Sequence, residues 1–164
     1  MQAIASMTNE RVIGNDGKIP WKVASDLKWF RSFTLGKTII VGSNTFESLP
    51  PLPDRTVFFL RRLKMESQCQ ASPFSHYVGK NGCTGRRISD YMQIISHPER
   101  EQFVIAGGSQ IYCLFLAWID EFYVTHINGK YDGDTKMPEF ENFYENRELL
   151  HTFEGGHEVI RYTR

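Results

Sequence analysis

Two apolar stretches of this chain are each followed by glycine and then by the start of a predicted helix. The first covers 37–42 and leads into Ser43, and the second covers 102–106 and leads into Gly107 and Gly108. Continuous apolar runs of this length are typical of parallel strands that are buried on both faces. Strands and helices alternate around them, which predicts a three-layer αβα domain on a mostly parallel mixed sheet.

The same two turns are candidate anion sites. A strand that ends in glycine before a helix leaves free backbone N–H groups at the positive end of the helix dipole. Either turn alone is a weak signal, and neither has the G-x-G-x-x-G spacing, so a Rossmann dinucleotide site is not expected. Together, the turns after Val41 and after Ala106 are a candidate clasp for a pyrophosphate.

The stretch 19–33 predicts an amphipathic helix from Val23 onward, and one acid lies on its apolar face. At about 100° per residue, that face is formed by Val23, Leu27, Trp29, Phe30 and Phe33. Asp26 falls in the middle of the face, where a carboxylate is costly unless it is paired or protonated. It either caps the helix or pairs with a structural arginine, or it binds a flat heterocycle between Leu27 and Phe30. Ser25 and Ser43 are better placed as caps, which favours the second interpretation.

The chain resembles dihydrofolate reductase through an ordered set of short motifs. They are Ile13-Gly14, Pro20-Trp21, Asp26-Leu27, Trp29-Phe30, Gly42 and Thr45, and further matches continue to the end of the chain. No single motif is decisive, but the ordered set is specific. The resemblance implies eight strands, a cis peptide within the glycine pair, and hydride transfer from NADPH to 7,8-dihydrofolate, giving tetrahydrofolate.

The resemblance also implies roles for individual residues. Asp26 would bind the pterin and aid its protonation, Thr125 would support Asp26 by hydrogen bonds, and Trp21 would hold an ordered water. The substrate would contact Ile4, Ser6, Asp26, Leu27, Phe30, Leu49, Leu52, Arg55, Ala106 and Thr125. The cofactor would contact Ser6, Ile13, Ile19, Gly42, Ser43, Asn44, Thr45, Leu60, Arg61, Arg62, Ala106, Gly107, Gly108, Ser109, Gln110, Ile111 and Tyr112. Arg55 would take the glutamate carboxylate, because its fork matches that group. No metal is expected.

Four positions depart from the family pattern. Ser6 stands where a small apolar residue is usual, and Ala106 stands where a larger aliphatic is usual. Ser43 and Gln110 are neutral where the family often has a basic contact to the cofactor. We therefore expect one of the arginines at 61 and 62, by resemblance Arg62, to face the 2′-phosphate.

Several loops carry expectations of their own. The segment 8–22 is long for a compact domain and precedes Asp26, which predicts a lid. The resemblance implies that Ile19 of this lid would close over the nicotinamide. The turn 133–138 resembles the family's support for that lid. Within the polar segment 63–87 only 74–78 is strand-like, and 79–87 is predicted to be a solvated, flexible basic loop. The run 88–95 is predicted to be a helix. Two runs, 147–153 and 157–163, predict a C-terminal antiparallel hairpin.

Composition excludes several classes of function. The 164 residues fit a single domain over 1–164, and 19 basic residues balance 19 acidic ones. The charge balance therefore gives no indication of a nucleic acid or a membrane surface as partner. Three cysteines without C-x-x-C spacing fit a reduced cytoplasm, and a monomer is expected. Two rivals remain: a related pyrimidine reductase of riboflavin synthesis, disfavoured by Pro20-Trp21 and Asp26, and a non-catalytic nucleotide-binding protein on this fold.

Overall fold

A computed structural model describes residues 1–61 and 76–164 of the chain. Its strands are β1 Gln2–Thr8, β2 Val12–Gly14, β3 Thr38–Gly42, β4 Thr56–Leu60, β5 His76–Val78, β6 Thr84–Ile88, β7 Phe103–Ile105, β8 Glu121–Ile127, β9 Thr135–Lys136, β10 Asn146–Phe153 and β11 His157–Thr163. Its α-helices are α1 Ala24–Thr34, α2 Ser43–Ser48, α3 Met92–Ile95 and α4 Ser109–Phe115. Short 3₁₀ turns cover Arg100–Gln102, Leu116–Trp118 and Glu141–Phe143.

The main sheet has the strand order β10-β11-β8-β1-β7-β3-β4-β6-β5. The six strands from β8 to β6 are mutually parallel, while β11, β10 and β5 run antiparallel to their neighbours. The predicted mixed α/β fold with its C-terminal hairpin is confirmed. In the described residues the sheet has nine strands rather than the eight that the resemblance implied, and β2 and β9 form a separate pair.

Helices cover both faces of the sheet. Successive strand residues point to opposite sides, so the apolar strands present side chains to be buried on each face. Ile40 and Ile105 pack with Phe115 of α4 on one face. Ile39 packs with Phe46 of α2 on the other face, where α1 also lies. These side chains are at most 1% exposed, and burying each contributes about 1.5–3 kcal/mol. None of the described helices is long and apolar enough to span a bilayer.

The edge of the sheet around 76–95 differs from the sequence prediction. The predicted loop 79–87 is wrong over 84–87, because β6 pairs in parallel with β4 there. Gly85 makes that pairing possible, since a Cβ on it would lie 2.7 Å from the Phe46 ring. The predicted helix over 88–95 is also wrong in its first half: Ile88 ends β6, and only Met92–Ile95 is helical. Near an edge, Thr84 and Arg86 are exposed, so the strand has no continuous apolar run.

The helix starts also differ from the expectation. The prediction that Ser25 and Ser43 cap helices is wrong: the residues that precede α1 and α2 are Val23 and Gly42, and neither helix has a side-chain cap. Ser43 is instead the first residue of α2, so its hydroxyl is not used to close that helix.

Candidate active site

Asp26 of α1 lies over two hydroxyl groups on the sheet. Ser6 of β1 and Thr125 of β8 are partners in register, and Val159 of β11 continues the row. Asp26 is only 9% exposed. Burial raises the pKa of its carboxyl group because the charged form loses water, while the hydroxyls of Thr125 and Ser6 and the more remote His157 oppose that rise. Within the described residues Asp26 forms no salt bridge.

Two of the predicted site residues each have a buried polar atom without a full hydrogen bond in the described structure. Thr125 Oγ1 and Trp21 Nε1 reach no full hydrogen-bond geometry with any atom of the described chain. Thr125 Oγ1 is therefore close enough to Asp26 to stabilise its charge but is not committed to it. Buried polar groups in native proteins are usually satisfied, so these two atoms suit a polar ring edge and a bridging water.

The predicted apolar wall comes together beside Asp26. Phe30, Leu49, Leu52 and Ala106 are partly buried and pack in one cluster, which Phe30 and Ala106 join to the cluster around Ile4. Two further predicted contacts are strongly exposed, Leu27 at 60% and Ile19 at 56%. Their apolar surface is available to a flat ring, which is the property that the sequence assigned to them.

Arg55 lies just before β4 and reaches back to α1. Its Nη1 donates to Thr34 Oγ1 at 3.3 Å and its Nε to the Pro53 carbonyl at 3.1 Å. Burial and then the charge of Arg31 lower the pKa of the Arg55 guanidinium. The sequence analysis missed Arg31 because it falls on the polar face of α1. Two neighbouring arginines without an ion-pair partner in the described chain form a site that favours a carboxylate.

The two glycine turns meet at the carboxyl ends of β3 and β7. The backbone N–H of Gly42 donates to the Gly107 carbonyl at 2.8 Å, and that of Ala106 donates to the Ile40 carbonyl at 2.9 Å. The peptide between Gly107 and Gly108 is cis, as the resemblance implied. α2 and α4 begin directly after the turns without side-chain caps.

Neighbouring side chains lie close to both glycines of this cradle. A Cβ on Gly107, which has a φ of +109°, would lie 3.1 Å from the Tyr112 hydroxyl, and one on Gly108 would lie 3.3 Å from Thr45 Oγ1. Tyr112 itself donates to the Ile4 carbonyl at 2.8 Å, and burial raises the pKa of its phenol. The backbone N–H groups of 43–45 and 109–110 suit a phosphate chain, while that of Ile111 already donates to the Gly108 carbonyl at 2.8 Å.

The predicted cations of the cofactor site are only partly described. Arg61 is exposed beyond β4, and its backbone N–H donates to the Ile88 carbonyl at 3.2 Å. Arg62 lies outside the described residues. β6 brings one candidate that the sequence analysis missed, since Arg87 pairs in register with Phe59. Two further predicted cofactor contacts are described. Leu60 pairs with Gly42 in register, and Ile13 is partly buried on the face of the sheet that α4 covers.

The predicted lid segment 8–22 is tied to the turn 133–138. β2 pairs antiparallel with β9, and Asp134 Oδ2 accepts the backbone N–H of Asp16 at 3.0 Å. At its other end Trp21 is buried against Val12 and Ile127. The turn therefore contacts the lid where the resemblance implied support.

Comparisons with known proteins agree with this geometry. The family profile described as dihydrofolate reductase matches residues 1–158. The chain is similar to the dihydrofolate reductases of Bacillus subtilis, at 36% identity over 84% of this chain and 75% of that protein, and of Haemophilus influenzae, at 33% over 83% and 77%. A solved structure of the Enterococcus faecalis dihydrofolate reductase complexed with NADP(H) and RAB-propyl superposes with a TM-score of 0.77, at 26% identity over 99% of this chain and 95% of that one.

Proposed function

Since the chain belongs to the dihydrofolate reductase family, and so reduces 7,8-dihydrofolate to tetrahydrofolate with NADPH, we propose that Asp26 is the acid that binds the pterin. The observation that carries this proposal is a buried carboxyl group that faces two hydroxyls and forms no salt bridge within the described residues. Such an acid lacks the partner that a ring edge with adjacent N–H groups provides.

Asp26 acts through its proton and its charge. Its raised pKa keeps a proton accessible nearer neutral pH than an exposed aspartate would, which suits a group that aids protonation. Thr125 and Ser6 orient the carboxyl group, and Trp21 Nε1 is available to hold a water beside it. Leu27 and Phe30 exclude bulk water from the ring. NADPH, when bound, supplies the hydride.

The two ends of the substrate are bound by different chemistry. The ring lies against the apolar wall, and the glutamate carboxylate of the tail is bound by Arg55 with Arg31 beside it. Burial and then the repulsion between the two arginines lower the pKa of Arg55, and that repulsion is relieved when a carboxylate approaches. A tail carboxylate therefore strengthens binding without any role in the hydride step.

The glycine cradle binds the cofactor's pyrophosphate, with N–H groups from the starts of α2 and α4. The nicotinamide lies near Ala106, Tyr112 and the lid residues Ile13 and Ile19. Recognition of the 2′-phosphate requires a cation, because Ser43, Asn44 and Gln110 are neutral. Arg62 remains our sequence-based candidate. Arg61, which follows β4, and Arg87, the last residue but one of β6, join it because these two strands are parallel neighbours.

The enzyme is expected to act on small molecules alone, as a cytoplasmic monomer in one domain. Support comes from its balanced charge and from Cys83 and Cys113, which form no disulfide in the described structure. The riboflavin-pathway alternative is not favoured, because its substrate gives no reason for an acid at Asp26 with a tryptophan at Trp21.

Turnover of the purified chain tests the proposal. NADPH absorbance should fall when 7,8-dihydrofolate is added and stay constant with a ribosylated aminopyrimidine. The same assay with Asp26→Asn, after circular dichroism has shown that the variant is folded, tests the acid. Wild-type turnover in folded Asp26→Asn would overturn the role of Asp26. Nucleotide binding without turnover of either substrate would favour the non-catalytic alternative.

A further inference from the structure

Arg11 lies at the root of the lid segment 8–22 and directs its side chain to one stretch, 137–141. Its Nη1 donates to Glu141 Oε1 at 2.7 Å, its Nε to the Met137 carbonyl at 3.2 Å, and its Nη2 to the Pro138 carbonyl. The backbone adds a fourth bond, from the Met137 N–H to the Arg11 carbonyl at 2.8 Å. One residue thus ties the lid root to a segment 126 positions away along the chain.

The backbone of Arg11 adopts a conformation that side chains rarely take. Its φ is +66°, in the left-handed region, where an L-residue is less stable than glycine. The turn is closed by the Arg11 N–H donating to the Thr8 carbonyl at 2.9 Å and the Val12 N–H donating to Thr8 Oγ1 at 3.1 Å. A residue with a large side chain at such a position points to a role for that side chain.

The stretch that receives Arg11 is anchored in the core. Met137 is 3% exposed and Phe140 is fully buried, and the guanidinium carbon of Arg11 lies 5.5 Å from the centre of the Phe140 ring. Glu141 is held in turn, because its Oε2 accepts the Phe140 N–H at 3.1 Å. Arg11 therefore connects the lid to a stretch of loop whose side chains at 137 and 140 are packed into the core.

The clamp lies directly beside the pairing of β2 with β9. Arg11 precedes Val12, the first residue of β2, and Met137 follows Lys136, the last residue of β9, and these two strand residues are partners. A strand that slips by one residue turns every side chain to the opposite face. Val12 packs with Trp21 while its neighbour Ile13 packs on the main core, so a slip would exchange their positions.

We propose that Arg11 is a positioning residue for hydride transfer: its clamp on 137–141 fixes the register of β2 on β9 and thereby the place of the lid over the nicotinamide. The proposal rests on the proposed function, since the nicotinamide contacts of Ile13 and Ile19 are themselves proposals. Arg11 does not touch the reacting atoms. Its effect is on the geometry in which the cofactor and the substrate meet.

The clamp is tested with Arg11→Gln, Arg11→Lys, Glu141→Gln and the double variant Arg11→Gln/Glu141→Gln. A matched control is Glu148→Gln, which removes an ion pair of similar length, 2.9 Å to Arg161, on the C-terminal hairpin. Misplacement of reacting groups lowers rates steeply, so single-turnover hydride transfer in Arg11→Gln should fall by about tenfold or more. KM for dihydrofolate should change by less than about twofold, because the substrate pocket does not include the clamp.

The other variants separate positioning from stability. Arg11→Lys keeps the charge but not the fork, and should recover part of the rate. The double variant should be no slower than Arg11→Gln alone, because both changes break the same contact. Amide exchange at Met137, measured without ligands, should be faster in Arg11→Gln and unchanged in Glu148→Gln. That measurement remains informative even if the enzyme proves inactive on dihydrofolate.

A normal hydride-transfer rate in folded Arg11→Gln, with only the melting temperature lowered, would overturn the proposal and leave Arg11 a structural residue. An equal loss of rate in Glu148→Gln would also overturn it. Failure of the unaltered chain to turn over dihydrofolate would overturn the proposed function instead, while the amide exchange would still show whether the clamp fixes the register.

Discussion

Asp26 and Glu141 are two carboxylates that the fold treats in opposite ways. Asp26 is buried and its carboxyl group faces the hydroxyls of Thr125 and Ser6. Burial raises its pKa. For Glu141 partial burial also raises the pKa, but hydrogen bonds from Arg11 and from the local backbone outweigh it, so the net pKa is lowered. The difference lies in the partner, since only Glu141 has a permanent cation.

The two environments suit two different roles, a structural one for Glu141 and a ligand-binding one for Asp26. A carboxylate that fastens one segment to another functions best when it stays charged, and Arg11 ensures this. An acid that exchanges protons or binds a polar ring must keep its hydrogen-bonding capacity until the ligand arrives. An arginine beside Asp26 would hold it charged and occupy the place of the ring.

The largest expected effect is on catalysis at Asp26. Asp26→Asn should lower kcat/KM for dihydrofolate near neutral pH by a factor of about 10²–10⁴, the usual contribution of a general acid or base. NADPH binding, measured by fluorescence titration, should be preserved. In Glu141→Gln the loss should be far smaller, because that acid acts only through the clamp. Comparable losses in the two variants would remove the distinction drawn between the two acids.

The second effect concerns Arg55. Unlike Arg11, which pairs with Glu141, it has no ion-pair partner within the described residues. Losing its contact with a substrate carboxylate should cost about 2–5 kcal/mol if the site is desolvated. Arg55→Leu should therefore raise KM for dihydrofolate strongly and leave Kd for NADPH almost unchanged. Arg100→Leu, at an exposed arginine paired with Glu101, is the control. If both ligands weaken equally, Arg55 does not bind the tail.

The smallest effect, on stability, has opposite signs for the two acids. A raised folded-state pKa means that burying charged Asp26 lowers the stability of the fold. This cost is absent below the unfolded pKa of 3.8 and is fully present above the folded-state pKa. A lowered folded-state pKa means that Glu141 adds stability above its unfolded value of 4.5, which is lost as the pH falls through the folded pKa.

At pH 7, Asp26→Asn should therefore raise the melting temperature and Glu141→Gln should lower it. The shift for Asp26→Asn should be a few degrees, since about 1 kcal/mol moves a domain of this size by about 2–4 °C. The shift for Glu141→Gln should be smaller, because solvent screens its partly exposed ion pair with Arg11. The difference for Asp26 should vanish below its unfolded pKa of 3.8, and the difference for Glu141 should vanish below its lowered folded-state pKa. Melting curves across pH that shift in the same direction for the two variants would contradict the assigned environments.

Much of the site was predictable because its signals are local. An acid inside an apolar helix face is visible at 100° per residue, whatever the rest of the chain does. Apolar runs that end in glycine likewise mark buried strands and their turns. The C-terminal hairpin was predicted from two strand-like runs, 147–153 and 157–163, joined near Gly155-Gly156, and the structure has it over 146–163. The family resemblance rested on the same short segments, which is why it gave the correct fold.

Contacts between distant segments were decided by the tertiary structure alone. Arg31 and Arg55 become neighbours only after α1 packs beside the start of β4, and Arg11 meets Glu141 across 130 positions. The sequence did not predict β6, because this mostly polar strand near the sheet edge has no alternation of apolar and polar residues. Its pairing also depends on Gly85 fitting against Phe46. Sequence periodicity records which side of an element meets the core. It does not record which other element arrives there, because that is set by packing and register over the whole sheet.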